Sequence, residues 1–92
     1  MTVGLLTVEL HVPGSQSLKD KRMVLRRIKD RLKKFNVAVS EVEHQDLWQR
    51  AALGVAVVSG DRRQVDEQLQ SVRHLVQATH GAELLDWQET ES

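Results

Sequence analysis

From Val3 to Val12 the chain alternates, with Leu6, Val8, Leu10 and Val12 on one face and Leu5, Thr7, Glu9 and His11 on the other. That period of two predicts a strand with one buried side. Pro13-Gly14-Ser15 stops it, and Ser17 followed by Asp20 offers an approximate capping box. Leu18, Leu25, Ile28, Leu32 and Phe35, with Val24 alongside, then recur at spacings of three, four and seven, which predicts an amphipathic helix. Asn36 breaks that stripe. Val37 to His44 reads as a second strand, with Ala38, Ser40, Val42 and His44 opposite Val37, Val39, Glu41 and Glu43; the pattern leaves open which set faces inward.

Gln45 and Asp46 suit a turn, and Trp48 to Ser59, with its β-branched Val55, Val57 and Val58, predicts a third and central strand. Ser59-Gly60-Asp61 ends it, and Asp61 with Gln64 can cap a second helix whose stripe is Val65, Leu69, Val72 and Val76, with Leu75 beside it. Gly81 suits the left-handed turn after that helix, and Ala82 to Gln88 supplies a last strand. The order βαββαβ is the split βαβ, ferredoxin-like arrangement: an antiparallel four-stranded sheet with both helices on one face. Residues 1–92 are expected to form one such domain, with 88–92 as a loose acidic tail.

Composition adds exclusions. A chain of 92 residues that is 40% hydrophobic and 28% charged has the make-up of a folded domain, and its lack of cysteine removes disulfides, thiolate metal sites and thiol nucleophiles. The first residues lack the basic start and apolar segment of a secretory leader, and no stretch approaches the roughly 18 apolar residues of a membrane span. A cytoplasmic protein without a membrane partner is expected.

The formal charge of zero conceals a segregation. Residues 19–34 hold nine cations and only Asp20 and Asp30 as acids, a net of +7, and the rest of the chain is therefore −7. Lys19, Arg22, Arg26, Lys29 and Lys33 step by three and four, so a helix lines them up in one row, with Arg27, Arg31 and Lys34 on the other flank. Like charges at these spacings repel by a few tenths of a kcal/mol per pair, roughly, unless a polyanion answers them. These eight residues are the candidate nucleic-acid-binding set, with phosphates as the expected contact. The alternatives are a solvated face neutralised by the chain's own acids, such as Glu67, Glu83, Glu89 and Glu91, and an acidic protein surface. Strand 1 and the stretch Ala51 to Val58 contain no aromatic residue. Bases stacked on the sheet, as in RNA-recognition motifs, are therefore not expected; shape and phosphate recognition of folded RNA is.

Ser17-Leu18-Lys19-Asp20-Lys21-Arg22, Phe35-Asn36-Val37-Ala38-Val39, Glu41 through Arg50 (EVEHQDLWQR) and Gly54 through Ser59 (GVAVVS) occur in that order. Together they resemble the YlxP-like family of small bacterial proteins of unknown function over roughly residues 3–87, with Asp20 where that family usually has Glu. The resemblance implies a ferredoxin-like fold and a gene neighbourhood of translation and ribosome-maturation factors, hence RNA or a ribosomal subunit as partner. It supplies no catalytic residue and no cofactor.

Other chemistry is sparse. Glu41, Glu43, His44 and Asp46 are candidate ligands for a divalent ion, but strand alternation sets Glu41 and Glu43 opposite His44, so a polar hairpin end without metal is expected. Glu9 and His11 share a face and could be imagined opposite Glu41 or Glu43 as an acid–base pair. There is no nucleophile elbow, P-loop or dinucleotide fingerprint, so a non-catalytic protein is expected. Trp48 and Trp87 are expected to anchor strand ends. The sheet's second face would carry Leu5, Val37, Val39 and Trp87 as an apolar patch, and a homodimer through that face would cover it. A small-ligand regulatory domain is a further use of the same topology.

Overall fold

The expected order is realised in a computed structural model that describes residues 1–91: β1 (Thr2–His11), α1 (Leu18–Leu32), β2 (Ala38–Glu43), β3 (Arg50–Ser59), α2 (Arg62–Ala78) and β4 (Glu83–Glu91). The sheet runs β2-β3-β1-β4, every pairing antiparallel, with β3 and β1 central. Burial follows the alternation of β1: Leu6, Val8 and Leu10, and Val12 just beyond it, are inaccessible, and Leu6, Val8 and Leu10 with Leu53, Val55 and Val57 of β3 meet Leu25, Ile28 and Leu32 of α1 and Val65, Leu69, Val72 and Val76 of α2.

The helix starts are built as their sequences indicate. Ser17 Oγ accepts from the Asp20 amide at 3.1 Å, satisfying a donor that the helix start leaves open, and the Asp20 carboxylate reaches back to the Gln16 amide just ahead of the cap, also at 3.1 Å. Asp61 Oδ1 caps α2 through the Arg63 amide at 2.9 Å, while Gln64 turns to the Ser59 hydroxyl instead of the cap. Gly81 has φ +94, a conformation without strain only for glycine. Gly4 matters for a different reason: a side chain there would run into Val65 and Leu69, so α2 lies this close to β1 because position 4 has none.

Three expectations need correction. β4 continues through residue 91, with Gln88, Glu89 and Thr90 paired to Thr7, Leu6 and Leu5, because β1 begins at Thr2 and leaves its outer edge to be filled; residues 88–91 are strand rather than tail, and Ser92 lies outside the described residues. The open face is composed differently from the expected patch. Val39 is in register with Val55 and Trp87 with Val8, so both side chains turn toward the helices, and Val37 also packs on the core. Leu5 stays on the open face as expected, joined there by Val42 and Val58, each about half exposed. Trp48 is no anchor: it lies in the β2–β3 loop, 55% exposed, because β3 starts only at Arg50.

Candidate nucleic-acid interface

Helix α1 buries Lys21, Leu25, Ile28 and Leu32 on one stripe. At about 100° per residue, Lys19, Arg22, Arg26, Lys29 and Lys33 then follow one flank of the exposed side. Arg27, Arg31 and Lys34 follow the flank toward α2, where Arg31 and Lys34 line a groove with His74 and the guanidinium of Arg27 approaches Gly81. All eight expected cations are thus on the surface, Lys29 the least exposed of them.

Their partners decide what the surface is for. Among the described residues, only Lys33 of the eight has a carboxylate within ion-pair distance, Asp30 at 3.1 Å, a solvent-exposed pair one helical turn apart that contributes little. Lys34 Nζ stands 5.3 Å from the centre of the Phe35 ring. Three of the acids expected to neutralise the face, Glu67, Glu83 and Glu89, have other surroundings. Glu83 meets His11 at 3.3 Å, Glu89 accepts from the Trp87 indole at 3.0 Å, and Glu67 lines a hollow with Asn36 and Gln68. Glu9, Glu43 and Asp86 gather at one end of the open sheet face, with the sheet between them and α1. The chain is neutral overall, with the cations of α1 and this group of acids on opposite sides of the sheet.

The ninth cation of the segment, Lys21, behaves unlike the rest. Its side chain has no exposed surface; Nζ donates to the carbonyls of His44 (2.7 Å), Arg50 (3.2 Å) and Gln45 (3.4 Å) and lies 3.0 Å from Glu41 Oε2. Three N–H groups directed at three carbonyls leave none aimed well at the carboxylate, so Glu41 supplies charge rather than a directed hydrogen bond, and its Oε2 has no hydrogen-bond donor. One lysine therefore ties the start of α1 to both ends of the β2–β3 loop. The sequence did contain a sign of this. Lys21 is four, seven and eleven residues before Leu25, Ile28 and Leu32, on the apolar stripe and off the basic row. The blocks Ser17–Arg22 and Glu41–Arg50, which carry the family resemblance, meet through this one side chain.

The candidate metal ligands are regrouped. A bulge between Glu41 and Glu43 inserts an extra residue opposite Leu53 and Ala52, which reverses the alternation. Glu41 goes to Lys21, whereas Glu43 joins His44 and Glu9 of β1, with one ligand atom from each within 4.8 Å of the others; Asp46 is not in the group. The expected separation of Glu43 from His44 does not hold, because His44 lies just past the end of β2 with φ +64, where strand alternation no longer applies. Glu9 accepts from Arg50 Nη2 at 2.8 Å and lies 3.1 Å from His44 Nε2, so the guanidinium already supplies the charge a cation would bring. His44 holds this position with φ +64, its carbonyl fixed by Lys21.

The hydrogen bond from Arg50, reinforced by His44, holds the Glu9 carboxyl below the usual carboxylate range despite its partial burial. A carboxyl lowered on folding contributes stability above its unfolded pKa, and that contribution is lost as pH falls through the folded value. Arg50→Gln is expected to raise the Glu9 midpoint in a carboxylate-carbon NMR titration and to flatten the decline in thermal stability on the acid side. An unmoved midpoint would mean that the Arg50 contact is not formed in solution.

Comparisons with known proteins place the chain in a family and identify its fold. The family described as "Protein of unknown function (DUF503)" matches residues 3–89. The chain is 45% identical over 71 residues to "Uncharacterized protein YlxP" of Bacillus subtilis (strain 168), covering 76% of this chain and 77% of that one. Among solved structures, a de novo designed protein, Foldit4, superposes with a TM-score of 0.61 at 12% identity, over 96% of both chains. The C-terminal segment of the alpha subunit of aIF2 from Pyrococcus abyssi superposes at 0.51 with 20% identity, over 99% of this chain and 48% of that one. At such identities the structural matches speak to the fold alone, and the βαββαβ order with its β2-β3-β1-β4 sheet is the ferredoxin-like one.

Proposed function

The chain belongs to the DUF503 family, together with YlxP, and we propose that it is a non-catalytic RNA-binding protein whose first helix grips phosphates, with a ribosomal subunit as its first candidate target. The observation that carries this reading is the set of unpaired cations: Lys19, Arg22, Arg26, Arg27, Lys29, Arg31 and Lys34 have no carboxylate partner among the described residues, although the chain contains as many acids as bases. Self-repulsion along one helix is relieved when phosphates neutralise it and release their counterions. The sheet does not compete for bases, since Trp87 turns toward α2, Phe35 follows α1, and Trp48 is in a loop.

Polarisation titrations with a structured RNA at two salt concentrations, alongside co-sedimentation with ribosomal subunits, test this directly. Binding is expected to weaken steeply with salt, with a log–log slope of about −0.7 to −0.9 per phosphate contact. An absence of binding at low salt, with capture of an acidic protein in its place, would overturn it.

The open sheet face supports a second element of the proposal, pairing with another copy. Gly54 and Ala56 in the middle of β3 leave a depression of about 280 Å³ walled by Leu5 and Val42 and floored by small side chains. Two copies related by a twofold axis would cover each other's Leu5, Val42 and Val58 and leave both α1 helices facing outward. Leu5→Glu, at a site already about half exposed, is expected to convert a dimer to a monomer in light scattering without lowering the melting temperature of the monomer. A monomeric unaltered protein at high micromolar concentration would exclude the pairing.

A further inference from the structure

The groove between α1 and α2 differs from the rest of the basic surface. It is an open recess of about 570 Å³ on the surface between the two helices. Arg31 and Lys34 enter it from α1 and the turn after it, Ser71 and His74 from α2, and no carboxylate lines it. Its apolar wall is Phe35, half-buried against the core, with Leu75 and Ala78 beside it. Elsewhere along α1 the cations stand on convex helix surface. Here they surround a recess with an aromatic ring in it.

We propose that this groove holds one unpaired nucleotide of the bound RNA, its base against Phe35 and its phosphates between Arg31, Lys34 and His74. The inference rests on the RNA-binding reading and adds a preference for RNA with a bulged or looped-out residue. Each component of a nucleotide has a counterpart in the groove: the planar base finds a ring and aliphatic side chains, the phosphate finds two permanent cations and an imidazole, and the sugar finds the Ser71 hydroxyl. Lys34 now covers the Phe35 ring at 5.3 Å. An exposed ammonium on a flexible stem is an easily displaced occupant of that ring, and its movement toward the phosphate would free the ring for the base. A base-paired residue cannot enter, because its base remains stacked in the duplex.

The test uses the full chain and two labelled RNAs, an uninterrupted duplex and the same duplex with a single unpaired 2-aminopurine. The intact protein is expected to bind the bulged RNA at least about fivefold more tightly, the lower end of what stacking on an aromatic side chain provides, and to change the fluorescence of the unpaired base. Phe35→Leu and, separately, His74→Gln should remove most of that preference while leaving duplex affinity unchanged. His74 is exposed, so its variant keeps the fold and decides the matter if Phe35→Leu does not. Equal affinity of the intact protein for the two RNAs, or a preference that survives both substitutions, would overturn the subsite. The outer row separates this from failure of the parent reading: Arg26→Glu with Lys29→Glu should weaken both RNAs alike, and if neither RNA is affected the helix is not the contact.

Discussion

Lys21→Met is expected to destabilise the protein by about 3 kcal/mol, near the lower end of what breaking a buried ion pair costs, because Glu41 is still 17% exposed and water can partly replace the lysine. For a domain of this size that corresponds to a fall of about 12–24 °C in the melting temperature. The substitution preserves much of the buried stem but leaves Glu41 without its cation and the carbonyls of His44, Gln45 and Arg50 without their donor. Amide hydrogen exchange should accelerate first around residues 44–50, where those carbonyls lie. Adding Glu41→Leu should recover part of the loss, since the pair then vanishes instead of being halved. A melting temperature lowered by less than about 4 °C, equivalent to under roughly 1 kcal/mol, would show that Lys21 is not the tie between helix and loop.

The second large effect concerns binding, not folding. Reversing Arg26 and Lys29 to Glu places two anions in the middle of the outer row, where neither native side chain has an ion-pair partner to lose among the described residues. RNA affinity is expected to fall by at least about tenfold at low salt, and neutralising the same two residues to Gln should reduce the salt slope by about 2, one for each phosphate contact. The loss should be similar for RNAs of different sequence, since phosphate contacts carry no base information. The melting temperature should hold or rise, because the substitutions relieve repulsion along α1. Unchanged affinity with an intact fold would show that the outer row of α1 is not the contact.

The elements were legible in the chain because each is written in a local period. Alternation over Val3 to Val12 and the stripes Leu25-Ile28-Leu32 and Val65-Leu69-Val72-Val76 became the buried faces seen in the fold. The basic row was legible for the same reason, since exposure on a helix follows from where its apolar stripe lies. Much that was missed depends on pairing between strands. The bulge at Val42 cannot be read from alternation, yet it sends Glu41 to one face and Glu43 to the other. Register against β3 turned Val39 inward, and pairing against β1 turned Trp87 inward and prolonged β4 through the expected tail.

Local periodicity and residue type, which depend only on neighbours along the chain, determined the βαββαβ order and the segregation of +7 charge into one helix. Tertiary structure alone decided which cations are free. Whether a lysine meets a carboxylate depends on residues distant in sequence, as Lys21 shows by reaching Glu41, and as the outer row of α1 shows by having Glu9, Glu43 and Asp86 placed across the sheet from it. A net charge is a sum that distance does not enter, whereas a binding surface is made by the distances.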